Sequence, residues 1–373
     1  MNFFTLIFLA LTAVVANSAK IPIRAQYPST SGLKFTIDGN ATYFAGTNSY
    51  WISFLTNDAD VDLVMSHLNT ANLKVLRVWG FNDINKATSE VWYQSLIPGQ
   101  QPKINTGANG LQRLDAVVRA AEKHGIKLII PFVNNWSDYG GIPAYNTYFN
   151  TTSTTWFTNT AAQAQYRKYI KAVVSRYKTS EAIFAWELGN EPRCQGCVTS
   201  VITNWAKGVS AYIKSLDSRH MVTLGDEGWL NGGGDGTYPY TTWEGVDFEA
   251  VLKLPNIDFG TFHLYPISWG ITTDHAAWGK AWFANHGDIC AKVGKPCLAE
   301  EFGATTNKTG ILPIWQRQAL DHPAIGGDMY WQYGDKLSYG NTHDDGYTIY
   351  YGSDVFKTLM LGHAADIQSA GSN

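Results

Sequence analysis

Two acidic segments carry the residues best suited to chemistry. The first is WELGNEPR at 186–193, where Glu191 follows an apolar run and Pro192 ends any β-ladder because proline has no N–H to donate. The second is LAEEFG at 298–303, where Glu301 precedes an aromatic residue and a glycine. Two carboxylic acids, one protonated and one ionised, are what glycosidic bond cleavage requires. We therefore take Glu191 and Glu301 as candidate catalytic residues.

Other polar residues are expected to set the charge of these two acids. His263 and Tyr265 share one side of a predicted strand, since side chains alternate with a period of two. We predict that Arg77 and Tyr265 keep Glu301 ionised through opposite charge and hydrogen bonding. We predict that Glu191, nearer His263 and with fewer such partners, holds its proton and acts as the acid.

Two more residues fit a sugar site, and two acidic residues leave alternatives open. Asn190 is placed to hydrogen-bond a sugar 2-hydroxyl, and Trp331 to form an apolar floor. Strict alternation allows only one of Glu300 and Glu301 to face the site, so Glu300 remains a rival. Glu227 fits either a substrate contact or a structural role.

The elements that must position these residues repeat as a strand-like apolar run followed by an amphipathic stretch. The eight runs are 43–48, 74–80, 127–134, 182–190, 221–227, 257–265, 297–303 and 327–333. Helices are predicted over Leu111–His124, ending at Gly125, over Ala161–Tyr177 and over Val198–Leu216. Runs that are apolar almost throughout suit strands covered on both faces.

Eight such units predict a single (β/α)8 TIM barrel with extended loops at the C-terminal face of its strands. A doubly wound sheet fits the alternation nearly as well. Nearly every run, however, ends in a polar or aromatic residue, and a barrel brings all strand ends to one mouth. The sequence has no G-x-G-x-x-G after the first run, which a dinucleotide-binding sheet would need. We therefore favour the barrel.

Composition narrows the function classes. The 373 residues are 45% hydrophobic and 16% charged with a net charge of −3, so nucleic acid is not an expected partner. Residues 3–16 form one apolar run followed by small residues, which predicts a secretory signal over residues 1–19. Later stretches are too short to span a membrane. We expect a secreted, monomeric protein whose residues 20–373 form one catalytic domain with no separate carbohydrate-binding module.

The cysteines and sequons fit an extracellular protein. Sequence alone leaves three pairings of the four cysteines, or a zinc site, open; outside the cell we favour Cys194–Cys197 and Cys290–Cys297. The N-x-[ST] sequons are at Asn40, Asn135, Asn150 and Asn307. Asn135 lies inside an aromatic motif, so we expect no glycan there.

Taken together, the motifs resemble those of the fungal secreted endo-β-1,4-mannanases of glycoside hydrolase family 5. The resemblance covers nearly the whole chain after the signal segment. It rests on AGTNSYW (45–51), LRVWGFND (76–83), PFVNNWSDYGG (131–141), WELGNEPRC (186–194), TLGDEG (223–228), FGTFHLYP (259–266), EEFG (300–303) and GGDMYWQYG (326–334).

The resemblance implies a retaining enzyme with Glu191 as acid/base and Glu301 as nucleophile. It implies no metal and no cofactor, and β-mannan or manno-oligosaccharides as substrate. Matching positions imply that substrate is bound by Arg77, Trp79, Asn134, Trp136, Asn190, Arg193, Glu227, Trp229, His263, Tyr265 and Trp331.

Three other functions are open from the residues alone. A β-1,4-glucanase would use the same scaffold, because glucose and mannose differ only at one hydroxyl. A non-catalytic sugar-binding barrel would not need both acids together with His263 and Tyr265. A zinc hydrolase is disfavoured because the chain has no H-E-x-x-H or H-x-H pair.

Overall fold

Eight parallel strands form the centre of the molecule in a computed structural model that describes residues 26–272 and 274–371. The predicted signal segment lies outside the described residues. The strands are β1 (Phe44–Asn48), β2 (Val75–Arg77), β3 (Lys127–Pro131), β4 (Ile183–Glu187), β5 (Met221–Thr223), β6 (Gly260–Leu264), β7 (Cys297–Phe302) and β8 (Ile325–Tyr330). Each overlaps one predicted run, and most end before the run does because the polar end residues belong to loops.

The strands close into a barrel. Their order is β5-β4-β3-β2-β1-β8-β7-β6, with every neighbouring pair parallel. Hydrogen bonds from Asp258 N–H to Val222 O (2.8 Å) and from His263 N–H to Glu227 O (3.1 Å) join the two ends of this order. The predicted (β/α)8 barrel is confirmed.

Helices follow the strands and cover the barrel. They are α1 (Asp58–Thr70), α2 (Leu111–His124), α3 (Gly141–Phe149), α4 (Thr160–Tyr177), α5 (Ser200–Leu216), α6 (Phe248–Leu252), α7 (His275–Val293), α8 (Lys308–Asp321), α9 (Asp354–Phe356) and α10 (Gly362–Gly371). The three predicted helices are confirmed. α2 ends where expected, because Gly125 adopts a left-handed φ of 69° and its N–H bonds to Ala121 O.

Aromatic residues fill the bottom of the barrel. Short antiparallel strands at Ser29–Ser31, Lys34–Ile37 and Asn40–Thr42 cover that end. From them Phe35 reaches inward, with its ring 5.5 Å from Phe44, 5.2 Å from Phe184 and 5.1 Å from Phe259. Because aromatic rings fill the barrel interior at this end, the site is expected at the C-terminal ends of the strands.

The cysteines pair as predicted, Cys194 with Cys197 and Cys290 with Cys297. The first bridge lies on the loop that follows Glu191, and the second ties the end region of α7 to the start of β7. Within the described residues, none of the helices is both long and apolar enough to cross a membrane.

Candidate active site

A cleft of about 640 Å³ lies at the C-terminal ends of the strands. Both candidate acids line it, together with many aromatic residues. The lining residues are Tyr50, Trp79, Asn134, Trp136, Asp138, Tyr139, Asn190, Glu191, Arg193, Glu227, Tyr238, Tyr265, Ser268, Trp269, Glu301, Trp331, His343, Asp345 and Tyr347. The strand ends therefore meet at one mouth, as the barrel prediction required.

Glu191 is held on a strained turn after β4. Its φ is +50°, a left-handed value uncommon outside glycine and often found at functional sites. Its N–H bonds to Gly225 O (2.8 Å), and Gly225 must be glycine because a Cβ there would lie 2.2 Å from a Glu187 oxygen. The Glu191 carboxyl then meets His263 Nδ1 at 2.8 Å through Oε1 and Trp136 Nε1 at 2.6 Å through Oε2.

Glu301 projects into the same cleft from β7. Its Oε1 accepts a hydrogen bond from Arg77 Nη1, and its Oε2 accepts one from the Tyr265 hydroxyl at 2.7 Å. A carboxylate oxygen of Glu191, one of Glu301 and a ring nitrogen of His263 all lie within 4.8 Å of one another. This close approach fits the carboxyl spacing of about 5–5.5 Å in retaining glycosidases, and is shorter than the roughly 6.5–9.5 Å of inverting ones.

The same three donors are spaced closely enough to hold a metal ion. Each of these carboxylates already pairs with a basic side chain: Arg77 with Glu301, and His263 with Glu191. A metal ion would have to take the His263 nitrogen from Glu191 and compete with the fixed Arg77 charge. The site is thus built around protonated side chains.

Arg77 is completely buried beneath the cleft and holds several site residues at once. Its Nε and Nη2 donate to Glu187 at 2.8 and 2.7 Å, and Nη2 also donates to Asn190 Oδ1 at 2.7 Å. The side-chain N–H of Asn190 in turn donates to Asn134 Oδ1 at 3.0 Å. Arg77 therefore fixes the position of Glu301 and Asn190 from below.

Three residues predicted to bind substrate do not line the cleft. Arg77, His263 and Trp229 are at most 1% exposed and lie behind the wall. Trp229 packs on Arg193 and donates to Glu227 at 3.0 Å. A motif match reveals that a residue belongs to the site, but not whether it faces the substrate or supports a neighbour that does.

Of the neighbouring acids Glu300 and Glu301, only Glu301 lines the cleft, as strict alternation predicts, but Glu300 also contacts Arg77 and His263. Phe262 pairs with Ala299, but the next residue, His263, pairs with Glu301, so Glu300 sits in a β-bulge. Glu301 faces the cleft, while Glu300 lies buried below it, 3.3 Å from His263 Nε2. Both carboxylates thus belong to the site, one lining it and one supporting it.

The protonation order is the reverse of the one we predicted. Burial favours the neutral form of Glu191, but the hydrogen bond and charge of His263 outweigh it and lower the Glu191 pKa to about 2. Burial, with Glu191 adding to it, raises the pKa of Glu301 despite the opposing charges of His263 and Arg77.

His263 explains this reversal. Burial alone would lower its pKa, but Glu301, Glu191 and Glu300 outweigh burial and raise the pKa well above 6.5. A protonated imidazole donates to Glu191 and stabilises the anion, so nearness to His263 does not keep Glu191 neutral.

The cleft has two chemically distinct sides. The Arg193 side consists of Trp136, Arg193, Glu227 and Tyr238. The Arg193 guanidinium lies between two indoles, 4.9 Å from the Trp136 ring and 5.1 Å from the Trp229 ring, and it donates to Glu227 at 2.7 Å. The arginine is therefore rigid, and its aromatic neighbour Trp136 is 41% exposed to the cleft.

The Trp331 side consists of Tyr50, Trp79, Trp331 and Asp345. The Trp331 ring stacks on Tyr50 with centroids 5.6 Å apart and lies 5.8 Å from the Trp79 ring. Its indole N–H donates to Asp345 Oδ2 at 2.8 Å. Asp345 thus fixes the ring that we expect to form the sugar floor.

Sequence reasoning missed several of these residues. Glu187 is visible in the WELGNEPR motif, and Tyr50 in AGTNSYW, so a search of the motifs for further polar and aromatic residues could have found them. Asp345 and Tyr347 lie in a loop without a distinctive motif, and only the folded chain brings them to the cleft.

A parallel (β/α)8 barrel with two facing carboxylates in an aromatic cleft is the arrangement of a glycoside hydrolase. The family model for glycoside hydrolase family 5 β-mannosidase-like proteins matches residues 25–332. The chain belongs to this family.

Individual relatives agree with the family match. The chain is 57% identical to mannan endo-1,4-beta-mannosidase A of Aspergillus aculeatus over 347 residues, covering 92% of this chain and 91% of that protein. It is 54% identical to mannan endo-1,4-beta-mannosidase A of Hypocrea jecorina over 357 residues, covering 95% and 81%. Its fold is similar to the crystal structure of the endo-1,4-beta-mannanase from Rhizomucor miehei, with 34% identity, a TM-score of 0.84, and coverage of 93% of this chain and 100% of that one.

Proposed function

We propose that this protein is a secreted, retaining endo-β-1,4-mannanase that cleaves internal bonds of mannan, galactomannan and glucomannan. One observation carries the chemistry: carboxylate oxygens of Glu191 and Glu301 lie within 4.8 Å of each other in one aromatic cleft. The names of the relatives favour mannan over the β-1,4-glucan of the alternative reading.

In the first step Glu301 is the nucleophile. A carboxylate oxygen attacks the anomeric carbon, the bond from that carbon to the glycosidic oxygen breaks, and Glu191, which must take up a proton once the substrate is bound, gives that proton to the leaving oxygen. Arg77 and Tyr265 each donate a hydrogen bond to Glu301, which positions the attacking carboxylate. The products are a glycosyl ester on Glu301 and a free chain end.

In the second step Glu191 acts as the base. It takes a proton from water, the hydroxide attacks the same carbon from the opposite face, and Glu301 leaves as a carboxylate. Two inversions restore the original configuration. Hydrogen bonds from His263 and Trp136 favour the ionised Glu191 that this step needs.

The two sides of the cleft bind the two parts of the substrate that cleavage separates. The leaving chain must lie beside the acid, so the Arg193 side binds the aglycone. The sugar attacked by Glu301 then lies on the Trp331 side, with Trp331 as its floor. Asn190, fixed by Arg77, is placed to hydrogen-bond the 2-hydroxyl, a contact that strengthens in the transition state.

Single amide substitutions test the assignment. Glu191→Gln and Glu301→Gln each remove one acid while keeping the shape of the side chain, and both are expected to lose nearly all turnover of mannan. Proton NMR of the first-formed product is expected to show the retained β-anomer. Near wild-type turnover in either variant, or an inverted product, would contradict the proposal. Initial rates on mannan, carboxymethylcellulose and xylan separate mannanase from glucanase.

We also propose that the chain is secreted after removal of residues 1–19 and acts as a monomer. Two disulfides and the exposed sequons at Asn40, Asn150 and Asn307 support an extracellular protein. Asn135 is half-buried, and its Oδ1 accepts from Arg193 N–H at 3.3 Å, so we expect no glycan there. Intact mass of protein from culture medium, before and after deglycosylation, tests the cleavage position and glycan number, and size-exclusion chromatography tests the monomer.

A further inference from the structure

One side chain touches both the proposed acid and the aglycone part of the cleft. The indole of Trp136 donates its N–H to Glu191 Oε2 at 2.6 Å. The same ring packs against the Arg193 guanidinium at 4.9 Å and is 41% exposed. A sugar bound on the Arg193 side would therefore contact the indole that donates a hydrogen bond to Glu191.

The two oxygens of Glu191 have different surroundings. Oε1 meets His263, which is fully buried. Oε2 meets Trp136, which lines the cleft and can contact a bound sugar. An N–H donor at Oε2 stabilises the carboxylate and opposes a proton there.

We propose that Trp136 couples occupancy of the Arg193 side to protonation of Glu191. With its N–H on Oε2 the indole holds Glu191 as the carboxylate. An aglycone sugar that moves the indole away frees Oε2 to take up a proton from solvent, which Glu191 then gives to the glycosidic oxygen. After the leaving chain departs, the indole returns and favours the ionised base of the second step. The inference rests on the proposed acid/base role of Glu191.

Other charges around Glu191 also affect its titration. His263 and Tyr265 face it from β6 and the residue that follows, Glu301 from β7, Glu227 from the loop after β5, and Arg193 from its own loop. Trp136→Phe leaves all of these groups in place and keeps an aromatic face against Arg193. A change in titration on this substitution therefore reports the lost N–H.

The test compares two pH profiles on a manno-oligosaccharide long enough to fill both sides. The alkaline limb of kcat/KM reports the acid in the free enzyme, and that of kcat reports it in the complex. Loss of one hydrogen bond to a charged group shifts a pKa by about one unit. In Trp136→Phe we expect the kcat/KM limb to move up by about one pH unit and the kcat limb to stay in place.

Trp331→Phe is the matched control, since it makes the same ring change but removes an N–H that bonds to Asp345 rather than to Glu191. It should lower the rate without moving the kcat/KM limb. If Trp136→Phe is too slow for kinetics, a 13C NMR titration of the Glu191 carboxyl, assigned by its loss in Glu191→Gln, should show the same upward shift.

Two results would overturn the coupling. If neither limb moves in Trp136→Phe, the indole does not hold Glu191 as the anion. If both limbs move together, the hydrogen bond persists in the complex and substrate does not displace it. Substantial turnover in Glu191→Gln would instead refute the acid/base role, which keeps the two failures distinct.

Discussion

Replacing Arg77 by methionine tests how strongly its buried positive charge stabilises the carboxylates of the site. The arginine is fully buried and makes hydrogen bonds to Glu187, Asn190 and Glu301, while Glu300 Oε2 lies 3.6 Å from its Nε. Methionine has similar length but no charge, so these carboxylates would lose their nearest fixed cation. Breaking a buried ion pair by removing one partner costs about 3–5 kcal/mol.

The expected loss is large compared with the usual stability of about 5–15 kcal/mol, so Tm should fall by roughly 5–10 °C while the protein still folds. Activity should fall by at least about 100-fold, because Glu301 loses a preorganised charged donor. Arg176→Met is the control. Arg176 is 31% exposed and pairs with Asp115, so its loss should cost less than about 1 kcal/mol.

The test is to measure the free energy of unfolding in urea for three variants: Arg77→Met, Arg176→Met and the double variant Arg77→Met/Glu187→Gln. The double variant removes the acid most directly paired with Arg77, so it should recover part of the lost free energy of unfolding. Equal destabilisation by the two single substitutions, or no recovery in the double variant, would refute the argument that buried charge imbalance dominates this site.

Two further predictions concern other buried acids. Burial raises the pKa of Asp83 to about 7 despite a hydrogen bond from Gln94, so the folded protein keeps this proton at pH values where the unfolded chain has lost it. Stability should therefore fall between about pH 4 and 7, and Asp83→Asn should remove up to about 4 kcal/mol of that fall in urea titrations at several pH values; an unchanged pH slope would contradict this. Asp345→Ala should release the Trp331 ring and raise KM for manno-oligosaccharides about tenfold with little change in kcat. An unchanged KM would show that the ring is fixed by packing alone.

The fold could be predicted because its signals are local. Each barrel strand is an apolar run with a polar end, and α2 carries its own stop signal at Gly125. Strand bounds were predicted too long, since residues such as Asn134 and Asn190 continue the run but lie beyond the strand, at the mouth. The sequence pattern does not distinguish the last ladder residue from the first loop residue.

The sequence predicts which residues belong to the site, but not how they are arranged in it. Glu191 and Glu301 do share one cleft, because ends of parallel strands meet at the mouth of a barrel. The bulge at Glu300 could not be foreseen, since it depends on how β6 and β7 pair. The order of the pKa values of Glu191 and Glu301 was predicted wrongly. It depends on the contact between His263 and Glu191, which are far apart in sequence, so the sequence pattern does not reveal it.

The central claim is that Glu301 forms a covalent bond to the sugar while Glu191 acts as the acid and base. The most direct test is to trap that bond with a 2-deoxy-2-fluoro-β-mannobioside that carries a good leaving group, followed by peptide mass spectrometry. We predict one fluorosugar per chain, attached to Glu301. Attachment to Glu300 or Glu191, or turnover without any trapped ester, would contradict the account.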